Sequence, residues 1–189
     1  MPGAYFPGLQ LDAFDFHTLE KGEYEACRFA NGNGHKADLS EFKFIDCEFV
    51  DCDLSLAKLN RTAFREVQFR ECKLSGLHFE ACHDFGLVLG FEQCLLNFCT
   101  FIGMKLKNTR FVHSQLLESD FSDSDLTGAV FDQTDLSRVV FEHTILEKAD
   151  FRTAFGYVID PEQNRMRHAK FSASGLAGLL GKYGLEIEP

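Results

Sequence analysis

An all-β solenoid with four short faces per coil is the fold this sequence predicts, and three observations predict it. The first is period. Leu or Phe recurs at every fifth residue from Leu39 to Phe79 and again from Phe91 to Phe151. This period matches neither an amphipathic helix nor an alternating strand, so each unit must turn a corner before it buries its next centre. The second is identity. Leu39, Phe44, Phe49 and Leu54 are followed by Leu59, Phe64, Phe69 and Leu74, so like residues recur at twenty and not at ten. Four units therefore make one coil, and successive coils pair in parallel around a stack of Leu and Phe. The third is the residue two before each centre. Of twenty-two such positions, eighteen are Ala, Cys, Ser, Thr or Val, the exceptions being Phe42, Leu77, Leu89 and Met104. A small side chain fits an inward position beside a bulky centre.

Taken in order, Phe14, Leu19, Tyr24 and Phe29 keep the phase of the first run and are expected to supply the first coil. Asn31, Gly32, Asn33, Gly34 and His35 preserve that phase but put Gly34 where a centre belongs, which predicts a small bulge at a corner and a first candidate contact loop for a partner. Residues 80–90 shift the phase by two, and within them Cys82, His83, Asp84, Phe85, Gly86 and Leu87 form a candidate contact loop. The array, with its N-terminal cap, occupies residues 1–155 in six to seven coils, roughly 30 Å of rod at about 4.8 Å per coil. Residues 156–189 make a turn at Asp160-Pro161 and then a short helix over 175–182, capped by Ser172 or Ser174. Leu176, Leu179 and Leu180 share one face of that helix. A solenoid end must be covered, so these leucines are expected to cap the last coil and, beyond that, to dock on a second copy as a dimer.

Composition excludes several classes. Seven cysteines without a CxxC pair, six of them in the small inward position, read as packing residues in a reducing compartment and not as a metal site or disulfide set. Cys82 joins them if the first phase is extended to Asp84. The seven histidines are dispersed, and no phosphate loop, HExxH or GxSxG motif occurs. A non-enzyme without cofactor or metal is expected. The N-terminus lacks a basic segment followed by an apolar run, and no stretch reaches spanning length, so a cytoplasmic protein without membrane association is the expectation.

The units Ala37-Asp38-Leu39-Ser40, Ser124-Asp125-Leu126-Thr127-Gly128 and Thr134-Asp135-Leu136-Ser137 resemble the A(D/N)LXX motif of pentapeptide repeat proteins. The resemblance runs over residues 22–155 and implies a right-handed quadrilateral β-helix. The ending YVIDPEQNRMRHAKFS, followed by GLAGLLGKYGLEIE, is similar to the tails of bacterial pentapeptide proteins related to the Qnr quinolone-resistance and microcin-immunity proteins. That similarity implies a partner, DNA gyrase or topoisomerase IV, bound through mimicry of duplex DNA and protected from poisons.

Charge bears on that implication independently. Net charge is −10, and residues 118–150 hold nine acidic side chains against two basic ones. At about 4.8 Å per coil this is near one net charge per ~1.1 Å of rod, against one per about 1.7 Å in duplex DNA. Glu118, Asp120, Asp123, Asp125, Asp132 and Asp135 are the candidate partner contacts. Such a surface repels nucleic acid, so direct DNA binding is not expected. The alternative is a generic interaction scaffold whose carboxylates only keep the rod soluble.

Overall fold

The computed structural model describes residues 3–186 and places each centre against its counterpart one coil away. Two of the four walls contain named strands. Wall 1 pairs Ala4–Pro7, Gly22–Glu25, Lys43–Ile45 and Ala63–Arg65 in parallel. Wall 2 pairs Gln10–Asp12, Arg28–Ala30, Glu48–Val50, Val67–Arg70, Leu89–Glu92, Arg110–Val112 and Val130–Asp132. Walls 3 and 4 are held by single parallel bridges, such as Asn33 with Asp53 and Asp38 with Lys58. The register is twenty residues, as in Phe44 against Phe64 and Phe49 against Phe69. The architecture is the parallel β-solenoid that the five-residue period predicts.

Corners come from backbone conformation. The second residue after nearly every centre lies at positive φ, including Lys36 (59°), Leu56 (59°), Phe98 (60°) and Lys148 (61°). Such left-handed residues are disfavoured for L side chains. Most of them donate their N–H across to the next coil, as Leu56 does to Ser75 O at 3.0 Å and Phe98 to Leu117 O at 2.9 Å. The following coil thus holds most corners in place.

The core is a set of columns. On wall 2 the rings of Phe29, Phe49, Phe69, Phe91, Phe111, Phe131, Phe151 and Phe171 stack one upon the next, 4.8 to 5.5 Å between centroids. The inward residue two before a centre does more than leave room. Its thiol or hydroxyl donates to a centre carbonyl of the coil below: Cys47 to Tyr24 O at 3.3 Å, Thr62 to Leu39 O at 2.7 Å, Ser119 to Leu96 O at 2.6 Å and Thr134 to Phe111 O at 3.0 Å. A small donor there gives the inward carbonyl a further partner, beside backbone bonds such as Phe42 N–H to Leu39 O. Burial pushes the Cys47 and Cys99 thiols up to about 12, which removes their nucleophilic character.

The two ends differ from the expectation. The first coil is centred on Phe6, Leu11 and Phe16 and is two residues short, because Phe6 faces Tyr24 and Leu11 faces Phe29. Phe14 therefore occupies the small inward position and not a centre. Residues 31–35 form a regular corner without a bulge, bridged to Asp53 through Asn33. Gly32 and Gly34 are buried, and a Cβ on either would lie within 2.8 Å of the Phe16 ring. The rings of Phe14 and Phe16 fold into the space these glycines vacate, and so close the N-terminal end. At the other end, the single helix expected over 175–182 is two 3₁₀ turns, Ser174–Leu179 and Gly181–Tyr183. Leu179 packs on the core, whereas Leu176 and Leu180 remain exposed. Among the described residues, no helix is long and apolar enough to cross a membrane.

Restoring the repeat pattern with Gly34→Leu should destabilise the protein by about 1 to 3 kcal/mol, since the new side chain competes with Phe16 for one space. Denaturant unfolding checks this, and a gain in stability would contradict the account of the N-terminal end.

Candidate partner-binding surfaces

The phase shift at 80–90 opens one wall only. Across it, wall 2 pairs Phe69 with Phe91, wall 3 bridges Lys73 with Leu95 and wall 4 bridges His78 with Thr100, all at a register lengthened to twenty-two. Wall 1 is bridged from Ala63 to His83 and again from Lys105 to Asp125, but not from His83 to Lys105. In the neighbouring coils His83 N–H donates to Thr62 O and Asp125 N–H to Met104 O, at 2.9 and 2.8 Å. Among the described residues, Lys105 N–H makes no such backbone bond.

The break coincides with a change of packing. Aromatic centres lie on wall 1 before it, at Tyr24, Phe44 and Phe64, and on wall 4 from Phe79 onward, at Phe101, Phe121 and Phe141. The changeover coil holds three rings, Phe64, Phe69 and Phe79. The next wall-1 position is Asp84, which turns outward into solvent, while Leu87 returns to pack on the core. Phe85 stands 70% exposed, with the Arg65 guanidinium 5.4 Å from its ring centroid. His83 accepts the Phe85 N–H at 3.2 Å, and Gly86 turns the loop at φ 72°. Beneath the loop lies a cleft of about 300 Å³ lined by Phe79, Glu80, Cys82, Asp84, Leu87, Ile102, Gly103, Met104 and Lys105. Burial, and next to it Glu80, holds the Cys82 thiol well above its usual value, so it is no nucleophile.

The six carboxylates singled out from the sequence do not share a face. Asp125 lies on wall 1, Asp132 on wall 2, Asp135 on wall 3 and Asp120 on wall 4, with Glu118 and Asp123 at the two corners of wall 4. Several hold turns. Asp120, Asp125 and Asp135 accept the N–H of the residue two positions on, at 2.8, 3.0 and 2.9 Å, and the hydroxyl of that same residue at 2.6 Å. Burial opposes ionisation of Asp125, but Thr127 and Lys107 outweigh it and lower its pKa. Cations from adjacent coils offset others: Arg138 meets Glu118 at 2.8 Å, Lys107 meets Asp125 at 3.2 Å and Arg165 meets Glu147 at 2.7 Å.

Wall 4 differs from the rest. Phe155 pairs with Asp135 on wall 3 and Arg165 with Ile145 on wall 1, so the chain between them passes along the wall 4 side, although no bridge joins Asp160 to Val140 among the described residues. From 99 to 163 this wall carries Asp120, Asp123, Glu142, Asp160 and Glu162, and no Lys or Arg. Two cations reach it: Arg138, at the corner shared with wall 3 and paired with Glu118, and Lys182 of the C-terminal turn, 2.9 Å from Asp160 and 2.6 Å from Glu162. Glu142, Asp160 and Glu162 were not among the candidates because charge was counted along the chain and not by wall.

Comparison with known proteins agrees with this architecture. A family model described as pentapeptide repeats matches residues 37–76, 94–133 and 119–154, in eight copies overall. No curated protein matches the chain. Among solved structures, full-length QnrB1, a plasmid-mediated fluoroquinolone resistance protein, is 16% identical with a TM-score of 0.51, covering 96% of this chain and 100% of that one. A trypsin-treated QnrB1 is 19% identical with a TM-score of 0.46, covering 98% and 100%. HetL, a pentapeptide repeat protein involved in heterocyst differentiation regulation in the cyanobacterium Nostoc sp. strain PCC 7120, is 16% identical with a TM-score of 0.33, covering 90% and 88%. At such identities the likeness concerns the fold.

The C-terminal turn is latched by charge as well as by the bond from Ile159 N–H to Gly178 O, 2.9 Å. The hydrogen bond from Lys182, with the Glu162 N–H next, holds the Asp160 carboxyl below its ordinary 3.8. Glu162 and Asp160 in turn raise Lys182 above 10.5. A depressed carboxyl contributes above its unfolded value and is lost as pH falls through the folded one; a raised amine contributes below its unfolded value and is lost as pH rises through the folded one. The latch should therefore hold at neutral pH and loosen in acid, below the usual carboxylate range. Amide protection at Ile159 should fall there, and should fall at pH 7 in Lys182→Gln; unchanged protection in that variant would remove the latch.

Proposed function

The chain belongs to the pentapeptide repeat family, and from that premise we propose that it binds a type II topoisomerase, DNA gyrase or topoisomerase IV, in place of duplex DNA and protects it from poisons such as quinolones or peptide toxins. The observation that carries this reading is the acidic wall 4. Its five carboxylates less Lys182 leave four net charges on three successive coils, about 10 to 14 Å at about 4.8 Å per coil, or one per about 2.5 to 3.5 Å. Duplex DNA offers one charge per about 1.7 Å of axis, so a basic groove that accommodates DNA meets a field of the same sign and about half the linear density on this wall. Full-length QnrB1, a fluoroquinolone resistance protein, has a related fold. A second copy docks at the C-terminal end through exposed Phe155, Val158, Leu176 and Leu180 in this reading. The rod is a binding protein and not an enzyme.

A second reading, a scaffold for an unrelated protein, draws on one observation. Leu56, Leu95 and Phe98 form an exposed apolar group at and beside the corner between walls 3 and 4. Binding through that corner would be insensitive to salt.

Replacing Asp120, Asp123 and Glu142 together by Asn, Asn and Gln keeps the turn acceptors while removing charge. The triple variant should bind gyrase about tenfold or more weakly at low salt and lose protection against poison-induced DNA cleavage. Asp132→Asn, on wall 2, should leave both unchanged. Equal protection by the triple variant and the parent would refute wall 4 as the contact.

A further inference from the structure

We propose that the cleft under the 84–88 loop is a receptor for one arginine side chain presented by a protein partner. This deepens the reading of the rod as a protein-binding surface, and rests on it, by giving the loop's partner a chemistry. The cleft is a built feature of the fold: it lies where wall 1 fails to bridge from His83 to Lys105, and a volume of about 300 Å³ suits a single side chain better than a large ligand. Its polar groups are two carboxylates and a backbone carbonyl against Lys105, whose N–H the gap also frees. Glu80 and Asp84 bring carboxylates, and the Cys82 carbonyl lacks the backbone donor that Thr62 O and Met104 O receive in the coils on either side. Glu80 already accepts from Thr100 and from His78, the latter at 3.0 Å, which orients it; an ionised carboxylate has further lone pairs to offer.

The remaining walls are apolar, from Phe79, Leu87, Ile102 and Met104. Acceptors set among apolar walls fit a guanidinium on a three-carbon stem, whose five N–H donors are planar and whose stem packs on hydrocarbon. Phe85 and Val88 stand exposed on the loop above, so a protein surface that delivered the arginine would meet apolar contacts around it. The Arg65 guanidinium lies over the Phe85 ring, 5.4 Å from its centroid, outside the lining of the cleft. Lys105 is the one cation of the lining, and it opposes the two carboxylates.

Met104 provides a reporter, because the chain has only three methionines. The full protein, carrying ¹³C-methyl methionine, is titrated with acetyl-Gly-Arg-Gly-amide and with its neutral citrulline isostere. The arginine peptide should move the Met104 methyl with millimolar affinity and leave Met166 unmoved, while the citrulline peptide binds about tenfold or more weakly. Glu80→Gln with Asp84→Asn should abolish the preference, and Lys105→Ala should tighten arginine binding severalfold. Equal shifts with both peptides, a silent Met104 methyl, or a preference that survives loss of both carboxylates would overturn the proposal. Gyrase binding measured in parallel separates this outcome from the topoisomerase reading: an inert cleft with gyrase binding intact removes the arginine receptor alone.

Discussion

Ring-on-ring stacking between successive coils is the interaction on which the rest of the rod depends. Centroid spacings of 4.9 Å between Phe49 and Phe69 and 5.0 Å between Phe111 and Phe131 match the rise of a parallel ladder, so core and backbone repeat at one distance. Any coil that is too short or too long must break that match somewhere. The chain tolerates a deficit of two residues at the N-terminus, where Phe16 fills the space above Gly34. It tolerates an excess of two at 84–88, where the surplus leaves wall 1 as a loop. The wall 2 ladder continues across both departures, and its ring stack across the second.

Stacking alone would leave buried polar groups behind. An unpaired buried acceptor costs about 1 to 3 kcal/mol. Centre carbonyls such as Leu39 O and Phe121 O accept a backbone N–H at the corner, and the thiols and hydroxyls two residues before the centres add a donor at many corners, from Cys47 to Thr144. Near the C-terminal end Asn164 does the same for Phe141 O, at 2.8 Å. Most corner residues at positive φ are held by hydrogen bonds to the next coil, so their strain is sustained by an array that no isolated unit could supply.

The walls, the twenty-residue register and the place of the phase shift were legible in the sequence because they follow from where Leu and Phe fall. The corner conformation was not, since Leu56, Phe98 and Lys148 adopt it without any residue signature. Gly34 resembled a loop signal and proved to be a packing device, which requires knowing that Phe16 lies above it. The candidate carboxylates show the same limit. Asp120, Asp125 and Asp135 follow the small residue of their units because they hold turns, and charge counted along a coiled chain mixes four walls that face different directions. Sorting by wall separates the acidic face, on which Asp160 and Glu162 from the non-repetitive tail join Asp120, Asp123 and Glu142.

The rod is thus a regular frame with two features placed on it, an acidic wall and the gap in the wall 1 ladder. Amide hydrogen exchange along wall 1 tests that description most directly. Ala63, His83, Asp125 and Ile145, whose N–H groups donate to the coil before, should be strongly protected, and Lys105 alone among the equivalent positions should exchange rapidly. Protection at Lys105 equal to that of its neighbours would mean that the wall is closed, and would contradict the account.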